Sequence, residues 1–181
     1  MTLALGVDPS LSCTAWALVR EDRNALSIVH AAKFSSKPDQ DVWTRARAIC
    51  NAIHADLQPW LKDKMIDVAA VEMPMTSMFG VKDRTRSATS LPGYGVCVGA
   101  VALLVESWMA KHRFHAPAAG VWSRGIPTGE KNKSNRVAVV QRLMAVDLAS
   151  LHGVSKAGDV ADAALLAKWA LDRHRLEARI A

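Results

Sequence analysis

Short apolar runs alternate with polar, turn-forming segments through the N-terminal part of the chain. The first run, Leu3–Val7, leads into Asp8 and Pro9, and the proline interrupts any regular continuation of a strand. Two further runs, Thr14–Val19 and Leu26–Ala32, follow after short polar connections. Because short connections favour antiparallel neighbours, the pattern predicts three antiparallel strands.

A helical pattern then separates the third strand from a fourth. Apolar residues recur at helical spacing between Asp41 and Leu57, and Pro59 should limit or kink the end of that helix. The fourth apolar run, Asp67–Val71, leads into a second acid, Glu72. A helix between these strands favours a mixed sheet with helices on both faces.

The second half of the chain predicts three helices and one short strand. The strand is Phe114–Ala116, and the helices are Gly95–Lys111, about Asn135–Leu148, and a last one starting near Gly158. Ser134 is a candidate cap for the second of these helices. The first is apolar nearly all round, which suits either a central core helix or a homodimer interface.

Composition limits the class of protein. A chain of 181 residues fits a single domain, and it contains no apolar run of about 18 residues, so no membrane span is expected. The N-terminus lacks the pattern of a secretory signal, and three widely spaced cysteines predict buried free thiols in a reducing, cytoplasmic compartment. The net charge of +6 favours a polyanionic partner.

Two apolar strands end on acids, and the last helix adds two more. Strands paired side by side lie about 4.8 Å apart, so Asp8 and Glu72 could share an ion if their strands are parallel neighbours. Asp159 and Asp162 point to one face of the expected first helical turn. Singly, each acid could be a turn former, an ion-pair partner or a helix-start residue. Together they predict a site for two Mg²⁺ or Mn²⁺ ions that hydrolyses a phosphodiester.

Basic residues in two polar segments, 73–91 and 120–135, and just beyond the second are candidates for holding a polyanion near these acids. The candidate DNA-binding residues are Lys82, Arg84, Arg86, Arg124, Lys131, Lys133 and Arg136. Solvated surface charge is the alternative reading for each. Among the six tryptophans, expected to be core residues, Trp122 is the main candidate for a base-stacking platform.

The order of these motifs resembles the RuvC family of Holliday-junction resolvases. The motifs are Gly6-Val7-Asp8-Pro9-Ser10 with Thr14, then Val71-Glu72, then Asp159-Val160-Ala161-Asp162-Ala163. The resemblance spans nearly the whole chain. It implies a ribonuclease-H-like α/β fold with a five-stranded mixed sheet. It further implies a homodimeric, Mg²⁺-dependent endodeoxyribonuclease that makes paired symmetric nicks at four-way DNA junctions.

The same resemblance assigns roles to individual residues. It places the two metal ions on the catalytic acids Asp8, Glu72, Asp159 and Asp162. It places a DNA-contacting lysine at Lys133 and the dimer contact on the helix Gly95–Lys111.

Several positions depart from the family pattern. Ser10 and Ala15 stand where the family has glycine, and Met75 stands where it has a base-stacking aromatic residue. Trp122 replaces a lysine, with Arg124 as a candidate stand-in. Such divergence fits a viral source, in which case the protein would act in the host cytoplasm.

Other functions remain open from the sequence. A nuclease of the same fold could prefer forks, flaps or RNA–DNA hybrids, and a non-catalytic subunit could bind branched DNA without cutting it. The segment from Gly6 to Thr14 also resembles the phosphate loop of actin-like phosphotransferases. Those enzymes need two such domains around a nucleotide, and this chain is too short for both.

Overall fold

A five-stranded mixed sheet forms the centre of the fold. The computed structural model describes residues 1–63, 65–73, 90–126, 133–148 and 154–180. The strands are β1 (Thr2–Asp8), β2 (Thr14–Asp22), β3 (Ala25–Phe34), β4 (Val68–Val71) and β5 (Phe114–His115). Their order is β3-β2-β1-β4-β5, with β1 to β3 antiparallel and β4 parallel to both β1 and β5. The predicted mixed sheet is confirmed.

Helices cover both faces of this sheet, as predicted. They are α1 (Val42–Lys62), α2 (Ser90–Trp108), α3 (Ala119–Trp122), α4 (Lys133–Met144) and α5 (Val154–Ile180). One hydrophobic cluster joins α1 and α2 to the sheet, and a second joins α4 and α5 to the opposite face. Within the described ranges, no helix is long and apolar enough to cross a bilayer.

The side chains of β1 alternate between the two faces. Leu5 and Val7 pack with α1 and α2, whereas Ala4 packs with α4 and α5. Gly6 shares the face of Ala4, and a Cβ atom there would lie 2.0 Å from the carbonyl oxygen of Ala163 on α5. The backbone of α5 therefore lies directly on β1, two residues before the strand ends.

The strands extend beyond the apolar runs that predicted them. β2 continues through Asp22 and β3 begins at Ala25, so only Arg23 and Asn24 form the turn. Both have positive φ angles, 48° and 70°, as a two-residue type I′ hairpin requires. Because this tight turn matches the twist of the strands, the polar residues next to it can remain paired between β2 and β3.

Several predicted helix boundaries were wrong. α1 is capped by Asp41 but continues past Pro59 to Lys62. α2 ends at Trp108, before Lys111, and the polar segment that starts at Gly120 contains most of α3, a helix that was not predicted. Packing against the sheet sets these ends more strongly than local sequence does.

Two further boundaries concern helices near the acids. α4 begins at Lys133, so Ser134 lies inside the helix and not at its N-cap position. α5 begins at Val154, not near Gly158. The sequence predicted Asp159 and Asp162 in the first helical turn, but both lie beyond it, so the partial charge at the helix end has little effect on them.

All three cysteines are free thiols, as predicted. Cys97 is fully buried, whereas Cys13 and Cys50 are partly buried. Burial raises the pKa of the Cys97 thiol to about 11. The Cys97 side chain is therefore neutral and unreactive in the fold at ordinary pH.

Candidate active site

Asp8 and Glu72 lie side by side at the C-terminal ends of two neighbouring strands. Val7 on β1 is in register with Val71 on the parallel strand β4, so the next residues on the two strands are Asp8 and Glu72. The backbone N–H of Glu72 continues the ladder by donating to the carbonyl oxygen of Val7 at 3.0 Å. Because Asp8 follows the alternation of Ala4 and Gly6, both acids belong to the face that α5 covers.

The turn after Asp8 is held by internal hydrogen bonds. The buried Thr14 hydroxyl donates to the carbonyl oxygen of Ser10 at 2.8 Å and accepts from its N–H at 3.1 Å. Arg45 on α1 donates to the carbonyl oxygen of Leu11 at 3.1 Å. These bonds hold the chain that follows Asp8, and the role of Arg45 could not be predicted from its sequence context.

The two acids of α5 each contact a basic side chain. Lys33 Nζ lies 2.5 Å from Asp159 Oδ2, and Arg136 Nη1 on α4 lies 2.8 Å from Asp162 Oδ1. The carboxylate of Asp162 is nearly buried, at 6% exposure, so a cationic partner offsets part of its desolvation. The pairing of these acids with Lys33 and Arg136 was not predicted.

Lys33 belongs to a row of residues that crosses the sheet. It is in register with Ala15 on β2, which is in register with Asp8 on β1. Directly paired residues share a face, so Lys33, like Asp8, lies on the side of α5. Burial alone would lower the pKa of Lys33, but its hydrogen bonds to Asp159 and Cys13 outweigh burial and raise the pKa above its ordinary value.

Trp122 contacts the acid that ends β4. An isolated parallel bridge joins Met73 to Ala118 and places α3 beside the end of β4. From α3, the indole Nε1 of Trp122 donates to Glu72 Oε2 at 2.8 Å. Trp122 is only 3% exposed. It orients an acid from within the core, so its interpretation as a base-stacking platform was wrong.

The chemistry of these donors fits hard divalent cations. Carboxylate oxygens are the side-chain ligands that Mg²⁺ and Mn²⁺ prefer, and Asp8 and Glu72 are neighbours. Over the residues that the structure describes, however, no three Asp, Glu, His or Cys side chains form a group that could hold one ion. Asp159 and Asp162 contact Lys33 and Arg136 in this arrangement. For all four acids to bind the same pair of metal ions, Asp159 and Asp162 would have to release Lys33 and Arg136.

Only part of the predicted DNA-binding set can be placed. Arg124 is exposed in a 3-10 turn, Ser123–Gly125, directly after Trp122. Arg136 is turned toward Asp162 and is 17% exposed. Lys133 begins α4, but its side chain lies outside the described part of the structure. The remaining candidates also lie outside the described residues: Lys82, Arg84, Arg86 and Lys131.

The fold is that of RuvC-type, ribonuclease-H-like resolvases. No protein-family model and no curated protein sequence matches the chain. Among solved structures, Thermus thermophilus RuvC in complex with a Holliday junction substrate is similar, with a TM-score of 0.70 and 14% identity over 97% of this chain and 96% of that one. The predicted likeness to RuvC is confirmed for the fold.

Two further solved structures share this architecture at lower similarity. The yeast mitochondrial Holliday junction resolvase Ydc2 has a TM-score of 0.55 and 12% identity, covering 98% of this chain and 83% of that one. The fowlpox virus resolvase with its Holliday junction DNA has a TM-score of 0.51 and 12% identity, covering 96% and 99%. The same fold is therefore found in a bacterial, a mitochondrial and a viral protein.

Proposed function

We propose that this chain is a metal-dependent endodeoxyribonuclease that resolves four-way DNA junctions. The observation that carries the proposal is the placement of Asp8 and Glu72 at adjacent ends of parallel strands, on the face covered by the helix of Asp159 and Asp162. This placement occurs on the fold of solved junction resolvases, in a chain with a net charge of +6. Together these features favour a phosphodiester substrate over a neutral one.

Asp8, Glu72, Asp159 and Asp162 would hold two Mg²⁺ or Mn²⁺ ions. When bound, such ions supply a nucleophilic water and stabilise the leaving oxygen of a phosphodiester. The chain's own residues orient this site: Trp122 fixes one oxygen of Glu72, and Thr14 holds the turn after Asp8. Exposed basic residues such as Arg124 would hold the DNA backbone beside it.

Junction DNA is the preferred substrate because two of the similar solved structures contain it. Symmetric nicks in two strands require two active sites, so the proposal includes a homodimer. Helix α2 is the proposed contact: Cys97, Val101 and Val105 on one side are buried, whereas Leu103 on another side is 69% exposed. We place the protein in a reducing cytoplasm, in keeping with its free thiols.

Cleavage of labelled DNA tests the proposal. Purified protein is incubated with a four-way junction, a fork and a linear duplex, with Mg²⁺ or with EDTA. We expect paired nicks in the junction that require Mg²⁺ and are lost in Asp8→Asn. An Asp172→Asn variant is the matched control, because Asp172 lies on α5 but pairs with Lys168 on the same helix. It should cut like the wild type.

Other outcomes would point to the alternative functions. Equal cutting of forks and junctions would retain the nuclease but remove the junction preference. Tight junction binding without cutting, in Mg²⁺ and in Mn²⁺, would favour a non-catalytic subunit. In that case the contacts of Lys33 and Arg136 with the acids would be the permanent state of the site.

A further inference from the structure

Lys33 places its positive charge directly beside a group of acids. This group, called the acid site below, consists of Asp8, Glu72, Asp159 and Asp162. Lys33 lies one residue before the end of β3, an edge strand of the sheet, and its side chain is 15% exposed. Only the methyl group of Ala15 separates it from Asp8 along the row that crosses the sheet. The lysine side chain meets Asp159 of α5 at 2.5 Å.

The acid site needs positive charge whether or not a metal is bound. Carboxylates gathered on one face of a sheet repel one another, and the low dielectric of a partly buried site strengthens the repulsion. Lys33 offsets the charge of Asp159, Arg136 offsets the charge of Asp162, and Trp122 donates a hydrogen bond to a neighbouring acid. The fold thus supplies its own hydrogen-bond donors and positive charges for these carboxylates.

We propose that Lys33 is a positioning residue that holds Asp159 in the metal-free protein and is displaced from it when a divalent cation binds. The inference rests on the proposed function, because it takes Asp159 as a metal ligand. Asp159 Oδ2 accepts from the Lys33 ammonium at hydrogen-bond distance, so a divalent cation held by the same carboxylate would lie close to a second positive charge and be repelled by it. Lys33 and the metal ion therefore compete for the Asp159 carboxylate.

If Lys33 competes with the metal ion, its removal should change the metal affinity in the opposite direction from the removal of a purely structural contact. Loss of a structural contact weakens the fold and the metal site together. Loss of a competitor weakens the metal-free fold but tightens metal binding, because coupling between two ligands of one site is reciprocal. The sign of the change in metal affinity distinguishes the two cases.

The experiment measures Mn²⁺ binding by the paramagnetic resonance signal of free Mn²⁺, with the melting temperature in EDTA as a second readout. In Lys33→Met we expect the dissociation constant for Mn²⁺ to fall about fivefold or more, with a lower melting temperature in EDTA. Lys33→Arg keeps the positive charge and should bind Mn²⁺ more weakly than Lys33→Met. Lys33→Gln, of similar length but neutral, replaces the methionine variant if that protein does not fold.

Lys168→Met is the matched control. Lys168 makes a similar contact, 2.6 Å from Asp172, on α5 nine residues beyond Asp159. Its loss should leave the Mn²⁺ affinity unchanged. Wild-type protein that binds Mn²⁺, with Lys33→Met binding it equally or more weakly, overturns the role of Lys33 alone. Failure of both proteins to bind Mn²⁺ while folded overturns the metal site, and with it both proposals.

Discussion

At Gly6 the strand β1 and the helix α5 come so close that no side chain fits between them. A Cβ atom would lie 2.0 Å from the oxygen of Ala163 and 2.5 Å from the nitrogen of Ala167, both backbone atoms. Gly6→Ala would have to push α5 away from the sheet. We expect it to lower the free energy of unfolding by about 1–3 kcal/mol or more, measured by urea denaturation.

Gly99→Ala, measured at a protein concentration where the chain is monomeric, is the control for this prediction, because a Cβ atom there meets nothing within 4 Å in its own chain. In a helix, that substitution should be neutral or stabilising by about 0.4–1 kcal/mol. If Gly6→Ala proves as stable as the wild type, α5 does not lie against β1 as the structure has it. The placement of Asp159 over the strand ends would then be wrong as well.

Trp122 allows a test of how Glu72 is oriented. Trp122→Phe keeps an aromatic ring in the core but removes the N–H that donates to Glu72. Partners of metal-binding side chains typically contribute about 10–100-fold to activity, so we expect junction cleavage to fall by about that factor. Trp43→Phe, at a position 69% exposed, is the control and should cut normally. Full activity of Trp122→Phe would contradict the assignment.

The acids of the site could be predicted from sequence, but their partners could not. Asp8 and Glu72 each end an apolar run, and Asp162 interrupts one, so burial alone makes these residues conspicuous. Lys33 lies 126 positions from Asp159 in the chain. It reaches that acid only through the register of β3, which shifts at an irregularity near Leu18 and Val19. The local sequence does not indicate this strand register.

At the scale of elements, the types were predictable and the ends were not. The alternation of β1 to β3 and the helical period of α1 are properties of local sequence. α3 is only four residues long, too short to establish a period, and the bridge between Met73 and Ala118 holds it in place. The start of α5 at Val154 was missed because the residues before Gly158 carry no distinct helix-start pattern.

Cys97, where α2 packs near α1, gives a prediction for how the stability of the fold depends on pH. Burial, and secondarily the nearby Cys50, raise the pKa of Cys97 from an ordinary value of 9.0 to about 11. A group whose pKa is raised in the fold contributes stability that is complete below the unfolded pKa and is lost as the pH rises through the folded pKa. This contribution should therefore disappear between pH 9 and pH 11.

The measurement compares melting temperatures of the wild type and Cys97→Ala. The packing lost with the thiol is the same at every pH, so the difference between the two proteins reports the ionisation. We expect the advantage of the wild type to shrink as the pH rises from about 8 to about 10.5. A constant difference would show that Cys97 is not desolvated as the fold implies.

At the scale of the whole molecule, the order of elements determined the fold. Three antiparallel strands, a crossover helix and a parallel fourth strand leave few arrangements that bury every apolar face, and the observed sheet order is one of them. The similarity to RuvC at 14% identity shows that this pattern persists when most side chains differ. The oligomeric state cannot be predicted in the same way, because whether a surface forms an interface depends on the partner surface as well as on its own sequence.

The outer surface of α2 offers a test of the proposed homodimer. Gly95, Gly99 and Leu103 are spaced four residues apart and therefore lie along one side of the helix. The two glycines have open space at their Cβ positions, and Leu103 is 69% exposed. Small residues beside an exposed leucine allow a second helix to approach closely. We expect the wild type to sediment as a species of twice the 19.6 kDa of one chain.

Leu103→Asp should convert that dimer to monomers. Burying an unpaired carboxylate costs at least about 1–3 kcal/mol, which weakens the dimer about tenfold or more. Trp43→Asp is the control, because Trp43 on α1 is equally exposed at 69% but lies outside α2. It should remain dimeric. If Leu103→Asp dimerises as the wild type does, α2 is not the interface. If it is monomeric yet still makes paired symmetric nicks, cleavage does not depend on this dimer.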